Sequence, residues 1–190
     1  QIAIPSCHQR PGTPSLFLIA MPIDNCPHSF QHLASVRLPE LMQLMRMRMA
    51  QAQPMRIFAR PGLGEKSLAR ELNLSGDFPG CYVLLENNRP LYVGISRGIL
   101  KRLRQHVLGK THFDASLAYL MASRTVGHEL TRSEAMLHPE VKAAFDSAQA
   151  RLRAMSAAFI EIRNDLEIYL FEAYCAMELD TAEWNTFRTH

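Results

Sequence analysis

Nothing in this 190-residue chain is long enough and apolar enough to span a bilayer as a helix, which takes about 20 consecutive apolar residues. The N-terminal candidate, Ser15–Met21 (SLFLIAM), is too short and lacks the basic flank of a signal peptide. A membrane protein is thereby set aside, and a soluble cytoplasmic one is expected. Cysteine is scarce: Cys7, Cys26, Cys81 and Cys175 form no CxxC pair, and two of them sit inside apolar runs, so neither a disulfide scaffold nor a zinc ribbon fits. Cys7-His8 and Cys26-Pro27-His28 lack the paired ligand spacing of structural zinc motifs. A net charge of +3 is too small to argue for or against nucleic acid. No zinc finger, helix-turn-helix or other reader module is visible, so target sequence and biological role are not legible. The first residue is Gln rather than Met, which reads as a fragment or a processed product.

What is present is 47% hydrophobic residues in a chain of one-domain length. Residues 1–36 are rich in Pro, Ser and His without a period and are expected to be irregular. Pro39 and Glu40 open a predicted helix to about Gln51, whose Leu and Met stripe reads as core filling. Residues 66–73 suggest another short helix. Residues 81–86 (CYVLLE) and 91–95 (LYVGI) are β-branched and aromatic, and Asn87-Asn88-Arg89-Pro90 between them is turn chemistry. A hairpin is predicted, with Tyr82 on one arm and Tyr92 on the other.

A helix over 98–108 follows, with Ile99, Leu100, Leu103 and Val107 on its apolar face and Gly109 ending it. Arg102 and His106, four residues apart, share one side of it. That side is either a solvated basic face or part of a site. Residues 113–122 and 132–155 are read as helical with a break at Pro139, and residues 156–162 as a third strand. Asp165 is expected to cap a helix, DLEIYLFEAYCAMEL, that is apolar almost all round and carries Glu172. The neighbours of Glu172 at i±3 and i±4 are Ile168, Tyr169, Cys175 and Ala176, none of them a cation. A carboxylate so placed needs a metal, or an arginine from elsewhere in the core. Charge is also segregated: residues 81–112 hold six cations against Glu86 alone, while residues 156–190 hold seven acids against two cations.

In order, Gly80-Cys81-Tyr82, Tyr92-Val93-Gly94, Arg102, His106, Glu172 and Asn185 resemble the GIY-YIG nucleases over residues 79–190. Cys81 stands where the family usually has Ile, and Ile95 where some relatives have lysine, leaving Arg97 as the nearest cation. The resemblance implies an α/β (α+β) fold: a small central three-stranded sheet flanked by helices, preceded by an N-terminal extension (residues 1–78) and carrying a helical insertion at about 124–155. It implies that Glu172 holds a single divalent ion, Mg²⁺ or Mn²⁺, and that Arg102 stabilises phosphate charge. Tyr82 would act as general base on water, with Tyr92 and His106 positioning the water or relaying the proton. Asn185 would tie the C-terminal tail to the site, and Gly94 would permit close backbone approach. Arg97, Lys101 and Arg104 are the expected nucleic-acid contacts. The reading is a metal-dependent DNA endonuclease, and its alternative a non-catalytic nucleic-acid- or partner-binding module on the same scaffold. Oligomeric state is not legible.

Overall fold

Asn87 and Asn88 both adopt positive φ, 51° and 64°, the left-handed pair that a two-residue hairpin turn demands and asparagine tolerates better than most residues. The computed structural model describes residues 22–127 and 129–187; Cys7, His8 and Ser15–Met21 lie outside them. The Asn-Asn turn joins β2 (Gly80–Glu86) to β3 (Arg89–Ser96), so the turn is tighter than the predicted four residues and Pro90 belongs to the second strand. Leu84 pairs with Tyr92 and Leu85 with Pro90, which leaves Leu91 as the extra residue of a bulge. Because β3 is the edge of the sheet, the missing N–H of Pro90 costs no ladder bond there.

The sheet has four antiparallel strands, not the three expected, in the order β1 (Gln53–Pro54), β4 (Ser156–Glu161), β2, β3. β4 pairs with β2 on one side and on the other with the two residues of β1. So short a strand, half of it proline, has no pattern of its own; pairing across a hundred residues creates it, extended by Met55 N–H donating to Met155 O at 2.9 Å.

The N-terminal helix begins well before Pro39. Ser29 caps α1 (Phe30–His32), a π segment spans Leu33–Arg37, and α2 (Leu38–Met49) continues it. Proline inside a helix removes a donor and crowds the preceding turn, and the wider π turn just before Pro39 accommodates both. The remaining helices are α3 (Glu65–Glu71), α4 (Ile99–Leu108), α5 (Ser116–Val126), α6 (Arg132–Ala135), α7 (Pro139–Ala154) and α8 (Asp165–Glu178), with a 3-10 turn at Met55–Ala59.

Alternation along β2 divides the interior. Tyr82 and Leu84 face a core built with α4, α5 and α7, while Cys81, Val83 and Leu85 face a second core built with α2 and α8. Residues 38–59 contribute to both layers. No helix among the described residues is long and apolar enough to cross a membrane.

Candidate active site

The helix carrying Arg102 and His106 is fixed at both ends by distant side chains. At its N-terminus the Asp77 carboxylate accepts from Leu100 N–H (2.8 Å) and Lys101 N–H (3.1 Å), a negative charge where orphan donors and the helix dipole favour one. At its C-terminus, Gln149 donates to Gly109 O at 2.7 Å and the Arg153 guanidinium to Val107 O at 3.0 and 2.7 Å. Both of these donors come from α7, within the segment read as an insertion. With α7 and the 3-10 turn packed on α4, His106 is fully buried rather than on an open basic face, and Arg102 is partly buried. Arg102 donates to Asp114 O (2.8 Å) and Ser116 Oγ (2.7 Å).

Tyr82 and Tyr92 lie on the same side of the hairpin, their ring centres 6.2 Å apart, with His106 5.6 and 6.3 Å from them. The Tyr82 hydroxyl is hydrogen-bonded to His106 Nε2 at 2.7 Å, and His106 Nδ1 has no partner among the described residues. Burial, followed by the positive charge of Arg102, lowers the His106 pKa from 6.5 to about 3, so the ring is neutral. Burial pushes the Tyr82 phenol well above its ordinary value and raises Tyr92 as well, with Arg102 opposing both shifts. Tyr82 is only 1% exposed. Tyr92 lines an open cleft of about 390 Å³.

Glu172, on α8, lines that same cleft. It is partly buried, and burial alone raises its carboxyl from 4.5 to about 7; no cation or donor among the described residues engages it. The core carboxylate–arginine bridge on this helix belongs instead to Glu167, 5% exposed, with Arg37 Nε at 3.0 Å and His28 Nε2 at 3.7 Å. The arginine bridge considered for Glu172 is thus found at Glu167, five residues earlier on the same helix. Asn185 closes one end of the cleft: its Oδ1 accepts from Val93 N–H (2.9 Å) and its Nδ2 donates to Val93 O (2.7 Å). The amide mimics a strand neighbour on the open edge of β3.

The structure therefore gathers Tyr82, Tyr92, Gly94, Arg102, His106, Glu172 and Asn185. The three expected nucleic-acid contacts are scattered. Arg97 is exposed and paired with Asp165 at 3.2 Å; Arg104 turns towards Glu65 (3.8 Å) and Phe58 O (3.4 Å); Lys101 is exposed and has no ion pair among the described residues. Cys26 and His28 do not join a metal site: His28 stacks on His32 and faces Glu167. No group of three or more potential metal-ligating His, Cys, Asp or Glu side chains occurs among the described residues. Asp77, Gln149 and Arg153 were not foreseen. None of the three is local to the helix it holds; Asp77 precedes its partners Leu100 and Lys101 by 23 and 24 positions.

Comparison with known proteins gives one positive result and two blanks. No curated protein matches the chain, and no solved structure does. Residues 78–134, the stretch holding the hairpin with both tyrosines and the helix with Arg102 and His106, match the family model of the GIY-YIG catalytic domain.

Proposed function

We propose that the protein is a metal-dependent endonuclease that hydrolyses phosphodiester bonds in DNA. The observation that carries this reading is Glu172, a carboxylate without a partner among the described residues, in one cleft with Tyr92 and backed by Tyr82, His106 and Arg102. A divalent ion fits it. Magnesium is commonly held by one or two carboxylates, its other positions being filled by water and substrate phosphate oxygens, so a single acid suffices. Held by Glu172, Mg²⁺ or Mn²⁺ would supply charge neutralisation at the phosphate and at the departing oxygen.

The chain's own residues supply the remainder. Arg102, anchored by Asp114 O and Ser116 Oγ, places a fixed positive charge beside the tyrosines to stabilise charge developing on phosphate. Tyr92 stands at the cleft and orients the attacking water. Behind it, Tyr82 accepts the water's proton while its own phenolic proton shifts towards Nε2 of His106, so no free phenolate has to exist. Because burial and Arg102 hold the His106 pKa at about 3, the ring does not keep that proton and gives it back as the departing oxygen is protonated. His106 performs this with its own proton on Nδ1. Asn185 holds the tail and the β3 edge in register around these groups. On this reading, residues 79–190 form the catalytic unit with an insertion at 124–155, residues 1–78 extend it, and Lys101 meets the DNA backbone, Arg97 and Arg104 being held by Asp165 and by Glu65 and Phe58 O.

Incubation with supercoiled, linear, branched and single-stranded DNA, with Mg²⁺ or Mn²⁺ and with chelator, tests the reading. Cleavage that requires the ion is expected. Binding to DNA without cleavage under any of these conditions would establish the non-catalytic alternative.

A further inference from the structure

Among the residues lining the Glu172 cleft that play no part in that mechanism are Ser123, Arg132, Trp184 and Phe187. Arg132 is exposed and makes no ion pair among the described residues, yet its backbone is held. It is the first residue of α6, fixed by a capping box between Thr131 and Glu134 and by the wholly buried Ala135. Phe187 leaves 58% of its surface exposed two residues after Asn185 clamps the chain to β3. Trp184 is turned inward, 7% exposed, with the Arg124 guanidinium 4.4 Å from its ring centre. The Trp184 indole N–H and the Ser123 hydroxyl are both buried without a hydrogen-bond partner among the described residues.

Buried polar atoms are ordinarily satisfied, because leaving one unpaired costs the desolvation of the group. Two such atoms on residues of one cleft mark where a ligand's acceptors would be received. Beside them stand an unpaired cation suited to a phosphate and an exposed aromatic ring suited to a base face. A base within a duplex has its faces covered by stacked neighbours and its pairing edge taken. A cleft of about 390 Å³ with a ring face and two unsatisfied donors on its lining residues therefore engages only a base freed from the stack.

Resting on the nuclease reading, we propose that this cleft is a subsite for one unpaired, unstacked nucleotide next to the scissile phosphate. Arg132 takes the adjoining phosphate, Phe187 stacks on the base, and Ser123 and Trp184 donate to its acceptors. DNA is then cut where a strand leaves the duplex rather than within continuous duplex.

Fluorescence anisotropy in chelator, where nothing is cut, measures binding to three DNAs: a fully paired duplex, the same duplex with a single-stranded arm, and the single strand. Wild type is expected to bind the armed duplex more tightly than the paired one. Phe187→Ala and Arg132→Ala, both at exposed side chains, should each weaken armed-duplex binding about 5- to 100-fold, the range of a lost base–aromatic contact, while leaving paired-duplex binding unchanged. Phe30→Ala, an equally exposed ring on α1, should change neither. Equal wild-type affinity for paired and armed DNA, or equal losses on both in the two variants, overturns the subsite. Parallel reactions with Mg²⁺ separate the two ideas. Arm selectivity without any cleavage keeps the subsite and removes the catalytic reading; cleavage without selectivity does the reverse.

Discussion

Gly94 faces Tyr82 across the β2–β3 ladder, and a β-carbon built on it would lie 2.4 Å from the Tyr82 hydroxyl oxygen and 2.5 Å from Cζ. The tyrosine ring lies across the glycine, so the closeness at this position is between a side chain and a backbone. Since Tyr82 is 1% exposed, its ring has no solvent to move into. Gly94→Ala is expected to cost about 1–3 kcal/mol, as overpacking of a filled core does, and to displace the hydroxyl from His106. Urea denaturation read beside a plasmid-nicking assay checks it; wild-type behaviour in both would show that the ring can give way.

Tyr82→Phe keeps the ring and removes the partner of His106 Nε2. Cleavage is expected to fall by about two to four orders of magnitude, as for loss of an acid–base group. Stability should fall by about 1–3 kcal/mol, because a buried imidazole nitrogen is left unpaired. Single-turnover rates and a denaturation midpoint measure the two effects. Full activity in Tyr82→Phe would remove the proton relay and leave this tyrosine as packing.

The raised carboxyl of Glu172 gives stability a pH dependence of definite sign. Its folded value, about 7, lies above the ordinary 4.5, so the folded state binds the proton more tightly than the unfolded state does. The metal-free protein is therefore relatively most stable below about 4.5 at this group, and it loses that contribution as pH rises from 4.5 towards 7. Melting temperatures in chelator across this window should show the decline in wild type, and Glu172→Gln should flatten it. An unchanged slope in the variant would assign the titration elsewhere.

What was legible in the sequence is what is local. Alternating β-branched and aromatic residues around Asn87-Asn88 specify the hairpin, and the spacing of Ile99, Leu100, Leu103 and Val107 specifies α4. Hidden were the contacts that no short window contains. Asp77 reaches the N-terminus of α4, Arg153 and Gln149 reach its C-terminus, β1 exists only through β4, and the buried acid neutralised by arginine proves to be Glu167, paired with Arg37 across 130 positions. The burial of His106 was missed for the same reason: α4 alone has one apolar face, but α7 and the 3-10 turn at Met55–Ala59 also pack on it.

The same distant contacts divide the basic residues of α4. Lys101 is free to meet a phosphate, whereas Arg104 is partly buried against Glu65 and Phe58 O. Lys101→Ala is expected to weaken DNA binding across sequences and to lower the slope of log affinity against log salt by about 1. Arg104→Ala should lower stability instead, through lost packing and a freed carbonyl. Salt titrations of DNA affinity distinguish them; an unchanged slope in Lys101→Ala would place the phosphate contacts on another surface.

That Glu172 is left unpaired for a divalent ion is tested most directly by melting wild type and Glu172→Gln above pH 7, with saturating Mg²⁺ or Mn²⁺ and with chelator, beside plasmid nicking in the same buffers. Wild type should be stabilised by the ion, as any ligand of the folded state stabilises it, and should nick only in its presence. The variant should match or exceed wild type in chelator, gain nothing from the ion and leave the plasmid intact. A variant that loses stability equally with and without the ion, and still nicks DNA, would contradict the assignment of Glu172 and the metal-dependent mechanism built on it.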